Sequence, residues 1–194
     1  MPLIAPGFLQ PALSRPVAIL GGGISGRGVE ALLASLGAQG TVYDAQGLAF
    51  DAAASRRHAL VVFSPGFPPS HPWLQLARAA GSVCLGELDF ASLFWRGRIV
   101  AVTGTNGKTT LAEFLAHALA GIGVEARAAG NIGRAFSQSV ADAGGGAPAA
   151  VAVCEVSSFQ AETLQHFHAE ATLWTNLAED HLERHGEMDS YFAA

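Results

Sequence analysis

Short apolar runs recur along the chain, each closed by a glycine, a proline, an acid or an asparagine. The runs at Val17–Leu20, Thr41–Asp44, Ala59–Phe63, Ser82–Leu85, Ile99–Val102, Val124–Ala128, Ala149–Cys154 and Ala171–Thr175 predict strands. They are continuous rather than alternating, as in strands covered on both faces. Between them the apolar residues fall three and four apart. Val29, Leu32, Leu33 and Leu36 predict one helix, and Trp73, Leu76, Ala77 and Ala80 a short second one. Leu111, Phe114, Leu115, Ala118, Leu119 and Ile122 predict a third, with these six on its buried face. A fourth is expected over Val156–His168, with Ser157 or Ser158 as its cap. Strands alternating with helices predict an α/β fold built on parallel sheet.

The interruptions set the organisation. Met1–Pro16 is proline-rich and reads as irregular, Asp51–His58 as helical or irregular with Arg56 and Arg57 solvated, and Asp142–Pro148 as a flexible glycine loop. Trp95-Arg96-Gly97-Arg98 is polar, basic and placed before a new strand, which makes it the best boundary. The expected domains are 1–97, a Rossmann-like parallel-sheet unit, and 98–194, an incomplete P-loop ATPase-type α/β unit.

Composition narrows the function classes. Of 194 residues, 50% are hydrophobic and 14% charged, enough for a substantial core, and the net charge is −5. That balance argues against a nucleic-acid partner. No apolar run approaches the roughly 18 residues of a membrane span, so no membrane partner is expected. Cys84 and Cys154 lie in apolar strands and read as buried thiols of a reducing, cytoplasmic compartment.

Three stretches carry candidate chemistry. The first runs from Ile99 through Gly104-Thr105-Asn106-Gly107-Lys108-Thr109-Thr110 into a helix. Strand, glycine loop, Lys-Thr and helix is the layout that presents backbone N–H groups, an ammonium and a hydroxyl to a polyphosphate and Mg²⁺. Lys108 is the only lysine, against ten arginines, so a compact point charge stands at the head of this helix. Glu155, at the tip of the Ala149–Cys154 strand, is placed to hold Mg²⁺. The second is Gly21-Gly22-Gly23-Ile24-Ser25-Gly26 with Asp44 about 20 residues on, a βαβ glycine pattern that fits NAD, a UDP-type ligand or a plain turn. The third is Glu179-Asp180-His181, just past a strand end, where imidazole suits a metal or a phosphate. Ser64-Pro65-Gly66-Phe67 closes another strand on the same edge, and the other histidines read as surface or packing residues.

The phosphate loop, Gly130-Asn131-Ile132-Gly133, Glu155-Val156-Ser157-Ser158-Phe159-Gln160 and Asn176-Leu177-Ala178-Glu179-Asp180-His181 occur in this order. Together they resemble the Mur ligases, ATP-dependent amide-forming enzymes of peptidoglycan synthesis, over essentially the whole chain. Ser157–Gln160, Ser64-Pro65-Gly66 and the first glycine loop are most similar to the branch that joins D-glutamate to UDP-N-acetylmuramoyl-L-alanine. The resemblance implies an acyl-phosphate route. Lys108 would hold the ATP phosphates, with Gly104, Thr105, Asn106, Gly107, Thr109 and Thr110 around them. Thr109 and Glu155 would hold one Mg²⁺ and His181 a second metal. Asn131, Ser157 and Gln160 would contact the muramoyl-alanine part, and Ile24, Ser25 and Gly66 the UDP part. A monomer is implied for the full-length form. Other members of the superfamily, a non-catalytic nucleotide-binding module and an NAD oxidoreductase are the alternatives.

Two departures accompany the resemblance. Asp44 is followed by Ala45-Gln46 where the family often has a Thr-Arg pair that contacts the uridine nucleotide. The chain also stops at Ala194, before the family's carbamylated lysine and third domain. It is therefore expected to be a piece of the enzyme that binds ligands without ligating them, and to associate through an exposed sheet edge.

Overall fold

The computed structural model describes residues 3–194. Eight strands form two parallel sheets. In the first, β1 (Val17–Leu20), β2 (Gly40–Tyr43), β3 (Leu60–Phe63) and β4 (Val83–Gly86) lie in the order β2-β1-β3-β4. In the second, β5 (Arg98–Thr103), β6 (Ala126–Gly130), β7 (Val151–Glu155) and β8 (Ala171–Trp174) lie in the order β6-β7-β5-β8. The helices are α1 (Gln10–Leu13), α2 (Ile24–Ser35), α3 (Ala52–Ser55), α4 (Pro72–Ala79), α5 (Glu87–Ser92), α6 (Lys108–Gly121), α7 (Phe136–Asp142), α8 (Ser158–Ala161), α9 (Leu182–His185) and α10 (Met188–Ala193).

Successive residues of a strand point to opposite faces, and here they divide between separate cores. Val17 and Ile19 of β1 enter a central core, while Ala18 and Leu20 enter an outer one with Leu74 and Ala77 of α4. Ala152 and Cys154 of β7 enter the same central core, while Val151 and Val153 face Ala112 and Ala116 of α6. The central core is therefore shared by both sheets. It is filled by α2, α5 and α7, with Phe90, Phe94 and Phe136 buried in it.

The segment expected as a boundary is packed rather than free. Trp95 lies in the shared core, and Arg96 holds the glycine stretch through Gly144 O at 2.8 Å and Gly146 O at 3.0 Å. The loop expected to be flexible is thus pinned at both carbonyls, and the helix before it, α7, fills the core. Of the Met1–Pro16 stretch, Met1 and Pro2 lie outside the described residues; the remainder contains α1 and fully buried Leu9. The strand expected at Val124–Ala128 is Ala126–Gly130.

Two further expectations are corrected. The Val156–His168 helix ends after one turn, at Ala161. Thr163 Oγ1 donates back to Gln160 O at 2.9 Å, and the amides of His166 and Phe167 donate to the buried carboxylate of Asp89 at 2.8 and 2.7 Å. Those amides cannot also serve helical carbonyls. On α6 the buried face is Ala112 and Ala116, flanked by partly buried Leu111, Leu115 and Leu119, while Phe114 and Ile122 point to solvent. The small alanines let the helix approach the sheet closely, so the buried stripe is turned from the one the larger side chains suggest. Cys84 and Cys154 are buried free thiols, as expected. Among the described residues, no helix is long and apolar enough to cross a membrane.

Candidate nucleotide-binding site

The site is built where β5 ends and α6 begins. Gly104 has a left-handed φ of 125°, and any Cβ there would collide with Thr175 and Asn176. Only glycine lets the chain turn this tightly against the neighbouring strand end. The loop is then tied from that side. Thr105 N donates to Asn176 O at 3.0 Å, and the Asn176 side chain bridges Asn106 N and Asn106 O, both at 3.0 Å. Thr105 Oγ1 accepts from Ala178 N at 3.0 Å and lies 3.1 Å from the Tyr191 hydroxyl. Gly107 is the N-cap and Lys108 the first residue of α6. The amides of that first turn have no partner within the helix, and the helix dipole adds positive character there.

Lys108 Nζ donates to Gly104 O at 2.7 Å and Thr105 O at 2.8 Å, which holds the ammonium over its own loop. Thr109 Oγ1 donates to Glu155 Oε2 at 2.6 Å. Asn131 Nδ2 donates to Glu155 Oε1 at 3.0 Å, and Asn131 N to the Glu155 carbonyl, also at 3.0 Å. Three segments from three different strand ends thus meet at one buried carboxylate. Hydroxyl, carboxylate and carboxamide oxygens are hard donors, the set Mg²⁺ takes alongside water and phosphate oxygens. The residues present fit that ion.

Ser157 and Gln160 meet each other. Ser157 Oγ accepts from Gln160 N at 3.3 Å, and Gln160 Oε1 accepts from Ser157 N at 3.0 Å. This is a capping box, and its S-x-x-Q pattern is visible in Ser157-Ser158-Phe159-Gln160, where only the serine cap had been expected. His181 is placed by a left-handed backbone, φ 52°, and its ring lies 4.7 Å from that of Phe159. Its nitrogens are 3.6 Å from Asp180 and 3.5 Å from Glu183. Among the described residues, no three His, Cys, Asp or Glu side chains converge to hold a metal.

The glycine loop of the first sheet has its own geometry. A Cβ at Gly26 would collide with the Gly21 carbonyl, so the third glycine is needed for close packing, whereas Gly23 faces open space. Asp44 Oδ2 accepts from Gly22 N at 2.7 Å, and this bond holds the Asp44 carboxyl below the ordinary carboxylate range. Ile24, at the start of α2, and Gly66 are exposed, and Ser25 is half-buried. Sequence reasoning gave no role to Tyr191 or Arg184. Both lie in the polar stretch after β8, where periodicity has nothing to report.

A family model, the Mur ligase middle domain, matches residues 102–194. A UDP-N-acetylmuramoylalanine–D-glutamate ligase of Desulfatibacillum aliphaticivorans is 42% identical over 135 residues, 70% of this chain and 29% of the relative. The enzyme of that name from Caulobacter vibrioides is 35% identical over 204 residues, covering 93% of this chain and 42% of the relative. The chain thus spans less than half the length of these curated relatives. In fold it is similar to a solved UDP-N-acetylmuramate:L-alanyl-gamma-D-glutamyl-meso-diaminopimelate ligase from Neisseria meningitides, with TM-score 0.59, 17% identity, and coverage of 92% of this chain and 66% of that one. A murein peptide ligase from Psychrobacter arcticus aligns at TM-score 0.55 with 19% identity, over 92% of this chain and 45% of the other. With a phosphate loop whose carboxylate and carboxamide partners come from the strand ends that the family model spans, and with relatives of one name along its length, the chain belongs to the Mur ligase family.

Proposed function

We propose that this chain is the nucleotide-binding portion of an ATP-dependent, C–N bond-forming ligase that adds D-glutamate to UDP-N-acetylmuramoyl-L-alanine in cytoplasmic peptidoglycan synthesis. The observation that carries the reading is the convergence of Thr109 and Asn131 on Glu155 at the mouth of the Lys108 loop. In this reading residues 98–194 bind ATP and residues 1–97 the uridine nucleotide. The names carried by the relatives support the amino acid and the acceptor.

The chain's own groups divide the work. The first-turn amides of α6 and the Lys108 ammonium would take the β- and γ-phosphates, since transfer of a phosphoryl group is mainly positioning and charge neutralisation. Thr109 and Glu155 would hold Mg²⁺, which, when bound, neutralises developing charge on the phosphates. His181 would supply one ligand to a second metal ion. Asn131, Ser157 and Gln160, around the end of β7, would meet the muramoyl-alanine part. Ile24, Ser25 and Gly66, with open Gly23 between them, would meet the UDP part.

Calorimetric titration with UDP-N-acetylmuramoyl-L-alanine, with NADH as control, tests this reading. Binding of the UDP-sugar and not of NADH is the expected result. Binding of NADH alone would return the first glycine loop to the dinucleotide class and defeat the proposal.

A further inference from the structure

Arg184 follows His181 by three residues, in the single turn of α9, and its guanidinium is fixed on three sides. One terminal nitrogen donates to Pro65 O at 3.2 Å, reaching from the second half of the chain to the first. The other pairs with Glu162. The group lies over the Phe159 ring, 4.2 Å from its centroid. Among the described residues its buried Nε meets no partner, and the side chain is only 13% exposed. Solvated arginines are long, mobile and interchangeable with lysine; a guanidinium held by a carbonyl, a carboxylate and a ring face is none of these.

Each end of this arrangement leads to a candidate binding element. On one side, the Ser64 and Phe67 amides donate to Leu20 O at 3.1 Å and Ser64 O at 3.0 Å, so the Pro65 turn is a closed unit on the end of β1. It presses on the glycine turn, where a Cβ at Gly21 would sit 2.8 Å from Ser64 Oγ. On the other side, the Phe159 ring that carries Arg184 also carries His181 at 4.7 Å and His185 at 5.7 Å. His185 Nε2 lies 2.9 Å from Ser158 Oγ, and its ring stacks on Tyr191 at 5.2 Å. The Tyr191 hydroxyl reaches Thr105 of the phosphate loop at 3.1 Å.

We propose that Arg184 is a positioning residue that couples the phosphate loop to the Ser64–Phe67 turn, so that occupation of one nucleotide site is felt at the other. Energetic coupling between distant sites is carried by chains of packed side chains and hydrogen bonds such as this one. Its ligand-dependent arm rests on the nucleotide-binding reading above; its ligand-free arm does not.

The experiment is amide hydrogen exchange on the 194-residue chain, wild type, R184A and R184K. R184K keeps the charge but not the planar fork, and so separates coupling from loss of fold. Without ligand, the Phe67 amide is expected to exchange at least tenfold faster in both variants, with β1 and β7 amides unchanged. With Mg-ATP, the wild type is expected to slow at both the first turn of α6 and Phe67, and R184K at the first turn of α6 only. Unchanged Phe67 exchange in either variant, a rise shared by all amides, or wild-type protection of α6 without protection of Phe67 would overturn the coupling. If Mg-ATP protects nothing in the wild type, the nucleotide reading fails, and the ligand-free arm alone decides the role of Arg184.

Discussion

Lys108 donates to two carbonyl oxygens of its own loop, so its ammonium needs no distant carboxylate to stay in place. Replacing it by alanine is therefore expected to leave the melting temperature within a few degrees while weakening Mg-ATP binding at least tenfold; equal affinity in a titration would contradict that. Glu155 is more demanding, because it is buried and accepts from two side-chain donors, Thr109 and Asn131. A glutamine there offers one acceptor oxygen, so one donor faces an N–H instead. E155Q is expected to lower chemical-denaturation stability by about 1–3 kcal/mol and to remove the Mg²⁺ dependence of ATP binding. Burial pushes the Cys154 thiol well up, and the nearby Glu87 charge adds to this. A thiol held protonated is a poor nucleophile. Cys154 is expected to stay unlabelled by a thiol reagent in the folded chain and to react on unfolding.

At the scale of elements, two buried acids in the first turn of α5 decide more than the strand pattern could indicate. Asp89 takes the amides that would have extended α8, and Glu87 Oε1 accepts from Ser137 N at 2.7 Å and Oγ at 2.6 Å, which seats α7 on α5. Burial raises the Glu87 carboxyl above its ordinary 4.5, outweighing the Ser137 donors that lower it. A raised carboxyl contributes stability that is full below about pH 4.5 and lost as pH rises through its folded value. E87Q, which keeps an acceptor for Ser137 and cannot ionise, is expected to lose less stability between pH 4.5 and neutrality than the wild type. Parallel urea midpoints across that window would contradict the assignment. The strands and the phosphate loop were legible because their residues advertise them: β-branched runs, glycine turns, a lone lysine. The α8 stop, the α7 seat and the Trp95–Arg96 clamp were not, because each depends on a partner about 50 or more residues away. The rotation of α6 was misread for a different reason. Leu and Phe outweigh Ala in any hydrophobic pattern, yet Ala112 and Ala116 are what a close helix–sheet approach selects.

For the whole molecule, the shared core is the deciding feature. Residues from β1, β3, β5 and β7 enter one cluster with α2, α5 and α7 between the sheets. The two halves are therefore expected to unfold in one transition, and Phe136→Ala, which empties a fully buried site in that core, to cost about 3–5 kcal/mol and to lower both halves together. Two separated transitions, by probes on Trp73 and Trp174, would show that the halves stand alone. The same core joins the half that carries the first glycine loop to the half that carries the phosphate loop. The most direct test of the account is calorimetric titration of the chain with ATP, with and without Mg²⁺, in the wild type and E155Q. Binding to the wild type that is strengthened by Mg²⁺, with no such strengthening in E155Q, is the expected result. A wild type that binds no ATP, or an E155Q chain that binds Mg-ATP as tightly as the wild type, would contradict it.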